Sequence, residues 1–340
     1  MMFELKQIIA KAVQLESSAV KCVLATVVAL DGSSYRKPGV RMLIGDNGET
    51  IGAVSGGCVE KEVIRQSTTV LKSGIPKVMT YDGRYRLGCE GIIYILLEPL
   101  ILSDDFLNQW SSCLEARSSI RIQSAYIKED NQSSALGSCF YFGKEPVAIR
   151  NNFAITKGTL LFDQILKQTG RLVIVGTEHD AVQMCLLASH MGLEVIVVAS
   201  IKDPRSKSNF PGAIDVIGLE PSQINEMGLD EETAVLLMTH NYSRDFQYAL
   251  SILNEQYAYF GIIGSTKRRD MLLDELLQFN SELDWDKLEN IFTPAGLDIG
   301  SITPQEIAIS VLAEIVAKIR NKDLNKLNQT DSVLKKNPSQ

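Results

Sequence analysis

Residues 171–199 read RLVIVGTEHDAVQMCLLASHMGLEVIVVA, and this stretch decides the fold of the second half of the chain. Two short apolar runs, 172–175 and 194–199, flank a segment of helical length at 180–191. Two such runs joined by a helix are typical of a β-α-β unit, in which the two strands are parallel. The stretch therefore predicts a parallel sheet covered by helices.

The same alternation of strand-like and helix-like segments continues to about residue 320. Further strands are predicted at 215–217, 233–238, 259–263 and 291–292, and further helices at 244–254 and 304–319. This alternation is typical of doubly wound α/β domains. The sequence thus predicts an α/β fold with a C-terminal Rossmann-like doubly wound parallel sheet.

The first half of the chain predicts a separate N-terminal α/β domain. A helical periodicity at 3–15 precedes a β-branched run at 21–30, and Asn47-Gly48 between two strand-like runs is a strong hairpin signal. More helices are predicted at 59–72 and 104–117, and more strands at 76–81, 92–97 and within 120–149. The predicted organisation is an N-terminal domain at 1–155, a linker at 156–170, the Rossmann-like domain at 171–320 and a disordered polar tail at 321–340.

Composition excludes several classes of protein. The 340 residues are 45% hydrophobic, and their net charge of -7 argues against binding to a nucleic-acid backbone. No apolar run approaches the roughly 20 residues that cross a bilayer, and the first residues lack the basic start of a secretory signal. We therefore expect a cytoplasmic protein with no nucleic-acid or membrane partner. The six cysteines form no Cys-x-x-Cys pair, which predicts free thiols and no zinc site.

Polar residues and glycines follow several of the predicted parallel strands. The carboxyl ends of parallel strands meet at one edge of a sheet, where ligands bind. The candidate binding residues at this edge are Gly176, His179, His240, Asn241, Gly264, Ser265, Arg268, Gly296 and Asp298. Taken singly, each is also explained by a helix cap, a turn or a solvated surface. Arg268 belongs to a cationic run, 267–269, that either faces solvent or holds a phosphate.

The turn after the first of these strands departs from a dinucleotide-binding fingerprint. In Gly-x-Gly-x-x-Gly, Glu178 and Ala181 would stand at the second and third glycine positions. The second strand ends in Ala199 and Ser200, where the fingerprint has an acidic residue that binds the ribose hydroxyls. The helix that starts near His179 still offers backbone N–H groups to a phosphate. An NAD(P)-dependent oxidoreductase is therefore one alternative.

A second glycine cluster, GAVSGGCVE at 52–60, lies between a predicted strand and a predicted helix. Cys58 stands at the start of that helix, where the helix dipole favours a thiolate, so it is the best candidate for a reactive thiol. Cys89 lies in another glycine turn, LGCEG at 87–91, just after two arginines. The alternative is that both cysteines are small buried hydrophobic residues in tight turns.

Together these motifs resemble the XdhC/CoxI family, accessory proteins of molybdenum hydroxylases such as xanthine dehydrogenase. In the first half the resemblance rests on GSS at 32–34, PG at 38–39, GGCVE at 56–60, LGCEG at 87–91 and LEPL at 97–100. In the second half it rests on MTHN at 238–241, GIIGS at 261–265, GLDIG at 296–300 and PQEIA at 304–308.

The resemblance implies a chaperone for the molybdenum cofactor rather than an enzyme. Such a chaperone binds the cofactor, here expected in its molybdopterin form, while a cysteine desulfurase installs a terminal sulfido ligand. It then delivers the cofactor to a xanthine dehydrogenase-like hydroxylase subunit. The family also implies a homodimer.

For the N-terminal half, the resemblance implies a set of cofactor-binding residues. They are Ser55, Gly56, Gly57, Cys58, Glu60 and Cys89, with Cys58 and Cys89 as candidate ligands of the cargo's molybdenum. Glu178 and Ala199 depart from the family pattern of glycine and aspartate, which implies an altered nucleotide part of the pocket. A non-catalytic accessory or scaffold protein with an empty nucleotide pocket is a third alternative.

Overall fold

The computed structural model describes residues 1–32, 37–83, 91–151, 153–279, 288 and 290–322, and of Cys58 it describes the backbone. The chain divides into two compact units, with the boundary between Gln168 and Thr169. Each unit has its own sheets and its own apolar core. From residue 323 onwards, the predicted disordered tail lies outside the described residues.

The described part of the first unit contains three helices and ten strands in two antiparallel sheets. The helices are α1 (Met2–Ser17), α2 (Cys58–Ser73) and α3 (Asp104–Glu115). The strands are β1 (Cys22–Asp31), β2 (Arg41–Gly45), β3 (Thr50–Gly52), β4 (Lys77–Asp82), β5 (Ile92–Leu100), β6 (Ile120–Tyr126), β7 (Asn131–Gln132), β8 (Gly137–Tyr141), β9 (Pro146–Ala148) and β10 (Leu160–Leu166). The strand orders are β3-β2-β1-β5-β4-β7 and β10-β6-β8-β9.

Strand β1 is buried on both faces, which explains its nearly continuous apolar sequence. Val23, Ala25 and Val27 pack in a cluster with residues of α2. Leu24, on the opposite face, packs in a cluster with residues of α1 and α3. Because successive side chains of a strand point to opposite faces, one strand can anchor helices on both sides of the sheet.

The segment 156–170, predicted as a linker, contains strand β10. This strand pairs antiparallel with β6 along its whole length, from Leu160↔Tyr126 to Leu166↔Ile120. The linker prediction is therefore wrong for residues 160–166, because backbone pairing with β6 places them at the edge of the second sheet. The first unit accordingly extends to Gln168 instead of ending near residue 155.

The described part of the second unit has one six-stranded parallel sheet. Its helices are α4 (His179–His190), α5 (Tyr242–Ile252), α6 (Thr266–Phe279) and α7 (Pro304–Ile319), with two 3-10 helices, Lys207–Asn209 and Pro221–Met227. Its strands are β11 (Arg171–Val175), β12 (Glu194–Ala199), β13 (Ala213–Gly218), β14 (Thr233–Leu237), β15 (Tyr259–Ile262) and β16 (Ile291–Phe292). The order β13-β12-β11-β14-β15-β16, parallel throughout, confirms the predicted Rossmann-like doubly wound sheet.

Helices cover both faces of this sheet. Leu172 and Ile174 of β11 pack in a cluster with residues of α4 and α7. Val173 and Val175, which alternate with them, pack in a cluster with residues of α5 and α6. This burial on two sides explains the β-branched run that opens the second unit. Across the described ranges, no helix has the length and apolar character needed to span a membrane.

Candidate functional site

The loops after β11 and β14 begin side by side at the point where the strand order reverses. The backbone N–H of Met238 donates to the carbonyl oxygen of Val175 at 2.8 Å. Gly176 follows with a φ of 140°, and a Cβ atom there would lie 2.4 Å from the carbonyl oxygen of Met238. Only glycine fits this close approach, so the two loops start in contact at the switch point, where the loops of a doubly wound sheet diverge and leave a crevice.

His240 joins the β14 loop to the start of α4. Its Nε2 lies 3.5 Å from Oδ2 of Asp180, which is in the first turn of α4. Its φ of 56° is left-handed, a conformation that is strained for a residue other than glycine and that often marks functional sites. His179, at the first position of α4, is exposed beside Asp180. The structure thus brings two predicted residues, His179 and His240, to the same end of α4.

Glu178 is the N-cap residue of α4, and its side chain makes no capping hydrogen bond. It is exposed at the turn where Rossmann proteins commonly bind a pyrophosphate. A carboxylate at this position repels a phosphate, although the helix dipole attracts one. The turn after β11 is therefore a poor site for a dinucleotide.

Asp245 holds the loop after β14 and the first turn of α6 together. Its carboxylate is 1% exposed and accepts hydrogen bonds from Thr239 Oγ1 at 2.6 Å, Thr239 N at 3.4 Å and Arg268 Nη2 at 2.5 Å. Burial raises the pKa of Asp245, while the bonds from Thr239 and the charge of Arg268 oppose that rise. Asn241, in the same loop, caps α5 by accepting from Arg244 N at 3.1 Å.

Arg268 lies in the first turn of α6, after the loop that contains Gly264 and Ser265. Its backbone N–H donates to Ser265 Oγ at 3.3 Å, and its guanidinium lies 5.7 Å from the centre of the Tyr242 ring. Its Nε is buried and has no acceptor among the described residues. Burial and a hydrogen bond to Glu275 raise the pKa of Tyr242 to about 12, so this ring stays neutral. Asp245 takes one Nη2 donor of Arg268, so other Nη donors remain for a ligand on the exposed part of the side chain.

The loop after β16 is anchored to α7. Gly296 has a φ of 105°, and a Cβ atom there would lie 2.6 Å from Ser310 Oγ. The N–H of Gly296 donates to Glu314 Oε2 at 2.9 Å, and the same oxygen accepts from Tyr259 at 2.6 Å. Asp298, two residues further on, is exposed. Within the described residues, no hydrogen bond joins Asp298 to the histidines or to Arg268.

The glycine cluster of the first unit forms the entry to α2. The N–H of Ser55 donates to Glu60 Oε1 at 2.8 Å, while Glu60 Oε2 is buried without a partner among the described residues. Among the described residues, no atom lies within 4 Å of a Cβ atom placed at Gly56 or Gly57. Helix α2 begins at Cys58, as predicted. The side chain of Cys58 and the whole of Cys89 lie outside the described residues, so their roles stay predictions.

The remaining four cysteines are buried free thiols, as the sequence predicts. Burial raises the pKa of Cys22, Cys139 and Cys185 to about 11, and it also raises that of Cys113. These thiols therefore stay protonated and are poor metal ligands. Among the described residues, no group of three or more His, Cys, Asp and Glu side chains is placed to hold a metal ion.

Sequence reasoning missed three acidic residues that organise the crevice: Asp180, Asp245 and Glu314. Asp180 and Asp245 stand in the first turns of helices, where an acidic residue ordinarily complements the helix dipole. Glu314 lies in an apolar helical segment, and an isolated carboxylate there is the one local signal of a buried polar contact.

Comparison with known proteins places the chain in a family. A family model described as the XdhC Rossmann domain matches residues 172–315, and one described as the XdhC and CoxI family matches residues 15–82. The chain is 29% identical over 316 residues to a protein of Bacillus subtilis (strain 168) named as a probable xanthine dehydrogenase subunit, covering 87% of this chain and 92% of that protein. It is 25% identical over 313 residues to a protein named molybdenum cofactor insertion chaperone PaoD of Escherichia coli (strain K12), covering 90% of this chain and 86% of that protein.

A solved structure described as a xanthine dehydrogenase from Bacillus halodurans has the same fold. The TM-score is 0.75 at 26% sequence identity, over 93% of this chain and 96% of that chain. The two matched family segments lie one in each unit and together span more than half of the chain. The chain belongs to the XdhC and CoxI family.

Proposed function

We propose that this protein is a chaperone that binds the molybdenum cofactor as its cargo and delivers it to a xanthine dehydrogenase-type hydroxylase. Membership of the XdhC and CoxI family supports the proposal, as do the names of two relatives, a molybdenum cofactor insertion chaperone and a probable xanthine dehydrogenase subunit. The structural observation that carries it is Arg268, a partly exposed cation beside the crevice of the second unit, from which Asp245 takes one Nη2 donor.

The chemistry of the cargo matches this crevice. Molybdopterin carries a phosphate monoester, and arginine binds phosphates through a planar fork of N–H donors. Arg268 has such donors, and Ser265 and Asn241 lie in neighbouring loops. Glu178 disfavours the pyrophosphate of a dinucleotide at the turn after β11. The crevice therefore suits the molybdopterin form of the cofactor better than a dinucleotide form.

The first unit supplies sulfur chemistry in the proposal. In the part of the chain that the structure describes, nothing crowds Gly56 and Gly57, which lead into the helix that begins at Cys58. In the proposal, Cys58 and Cys89 contact the molybdenum while a cysteine desulfurase supplies the terminal sulfido ligand. The protein acts as a homodimer and turns over no substrate of its own.

A transfer assay tests the proposal. The protein is loaded with molybdenum cofactor anaerobically, incubated with a cysteine desulfurase and cysteine, and mixed with the cofactor-free hydroxylase. We expect more hydroxylase activity than the same amount of free cofactor gives. Activation no greater than with free cofactor would contradict the proposed delivery.

Cysteine variants test the metal contacts in the same assay. Cys58→Ala and Cys89→Ala should each lower the molybdenum retained after gel filtration. Cys113→Ala is the matched control, because that thiol is buried beside α1 and α3 residues in an apolar cluster. Retention equal to that of the control for both variants would rule out the two thiols as ligands.

The NAD(P)-dependent oxidoreductase is tested by titration. The strand order of the second unit is that of dinucleotide-binding domains, which is the observation that favours this alternative. Calorimetric titration with NAD and NADP should detect no tight binding, because Glu178 stands at the phosphate turn. Tight binding of either nucleotide would favour the oxidoreductase instead.

A further inference from the structure

We propose that Asp245 is a positioning residue that fixes Arg268 to bind the terminal phosphate of the cargo. This inference rests on the proposed function and specifies one part of its site. Asp245 need not touch the ligand. It acts by joining the loop after β14, through Thr239, to the first turn of α6, through Arg268.

Asp245, Thr239 and Arg268 form a hydrogen-bonded group that we call the clamp. The carboxylate, on the first turn of α5, accepts hydrogen bonds from both the N–H and the hydroxyl of Thr239, the residue that precedes His240. Its other oxygen accepts from Nη2 of Arg268, on α6. The Asp245 carboxylate, which is 1% exposed, therefore links the end of β14, α5 and α6. Charge-assisted hydrogen bonds are strong when they are buried in this way.

The clamp leaves Arg268 with capacity for a ligand. A guanidinium has five N–H donors, and Asp245 takes a donor of Nη2 alone. The buried Nε has no acceptor among the described residues, and Arg268 is 24% exposed, so part of the side chain reaches the surface. A phosphate oxygen can therefore be bound at the exposed part of the side chain, by the Nη donors that Asp245 does not take.

The clamp also fixes the direction of the guanidinium. The ring of Tyr242 lies on one side of it, and Tyr242 is itself held by its hydrogen bond to Glu275. A long arginine side chain loses much rotamer freedom when it binds a ligand. Because Asp245 and Tyr242 hold Arg268 beforehand, less of that entropy is lost when the ligand binds. A carboxylate that orients a metal-binding histidine from behind has the same effect in metal sites.

The test measures how strongly binding depends on the phosphate. The probe is the stable fluorescent oxidation product of molybdopterin, used with its terminal phosphate and after enzymatic removal of the phosphate. The full-length protein should bind the phosphorylated probe about tenfold or more tightly than the dephosphorylated one, as expected for a charge-assisted hydrogen bond. In Asp245→Asn this ratio should fall towards one, with the affinity for the dephosphorylated probe unchanged.

Two further variants separate positioning from stability. Thr239→Val removes one donor to Asp245 while keeping the size of the side chain, and it should lower the ratio in part. Asp274→Asn removes an exposed carboxylate from α6 and is the charge-matched control, so its ratio should equal that of the unaltered protein. Urea titrations establish that each variant is folded. If Asp245→Asn does not fold, Thr239→Val decides the question.

Each outcome has a defined meaning. A folded Asp245→Asn or Thr239→Val protein that keeps the full ratio would overturn the inference, because a merely structural clamp affects stability and not the preference for phosphate. A ratio of one in the unaltered protein would overturn it too, while leaving the proposed cargo intact. If the unaltered protein binds neither probe, the proposed function itself is contradicted.

Discussion

Replacing Glu98 by Gln should change how the stability of the first unit depends on pH. Glu98 lies on β5, is 0% exposed, and accepts from Ser138 N at 2.8 Å and from Ser138 Oγ at 2.5 Å, on a strand of the second sheet. Ser138 Oγ also lies 2.8 Å from Ser124 Oγ. Burial raises the pKa of Glu98 from 4.5 to about 7, although Ser138 and the charges of Arg150 and Arg41 oppose the rise.

The raised pKa of Glu98 decides whether stability rises or falls with pH. Between pH 4.5 and about 7 the folded protein holds a proton on Glu98 that the unfolded chain has released, so stability falls as the pH rises through this window. The difference between the two pKa values corresponds to about 3 kcal/mol of free energy of unfolding, of which about 2.5 kcal/mol is lost between pH 5 and pH 8. Glutamine resembles the protonated carboxyl and cannot ionise, so the Gln variant should lack this loss.

The assay is urea unfolding of both proteins at pH 5 and pH 8, followed by the fluorescence of Trp110, a buried residue of the first unit. The second tryptophan, Trp285, is replaced by Phe in both proteins so that the signal reports the first unit. The free energy of unfolding of Glu98→Gln, relative to the parent, should rise by about 2.5 kcal/mol from pH 5 to pH 8. Glu129→Gln, an exposed carboxylate, is the control. A difference that does not change with pH, or that changes in the opposite direction, would refute the reasoning.

Two further substitutions test the crevice. Arg268→Met leaves the buried carboxylate of Asp245 without its cation and should lower the free energy of unfolding by about 3 kcal/mol. Adding Asp245→Asn to the same chain should restore part of this loss. An unchanged free energy of unfolding in urea titration would contradict a buried ion pair at this place. Gly176→Ala should lower the free energy of unfolding by about 2 kcal/mol or more, because its Cβ would lie 2.4 Å from the Met238 carbonyl oxygen. Gly228 also has a left-handed φ, 59°, but no described atom lies within 4 Å of a Cβ atom placed there, so Gly228→Ala should cost only about 1 kcal/mol. Equal losses at the two glycines would mean that the close approach of the β11 and β14 loops is not rigid.

The order of elements could be predicted because local patterns and tertiary structure agree in most of this chain. The apolar run at 172–175 and the Asn47-Gly48 turn both favour locally the conformations that they adopt in the fold. Strand β10 escaped prediction because three of its five apolar side chains, Leu160, Leu161 and Ile165, are exposed, which obscures the alternation typical of a half-buried strand. Its conformation depends on pairing with β6, which no local pattern encodes.

The candidate site could be predicted in outline and not in detail. The rule for parallel sheets is enough to locate the loops of Gly176, His240 and Arg268 at one edge from the sequence. The clamp at Asp245 could not be predicted, because its burial depends on how α5 and α6 pack. The proposed roles of Cys58 and Cys89 rest on family resemblance and await the cysteine variants.

The most direct test of the proposed function is the molybdenum and pterin content of the protein, purified anaerobically from a host that makes the cofactor. Metal analysis gives the molybdenum, and the fluorescence of the oxidised pterin gives the cofactor. We predict close to one molybdenum and one pterin per chain. A protein that carries neither, and that binds NAD tightly instead, would contradict the proposed function.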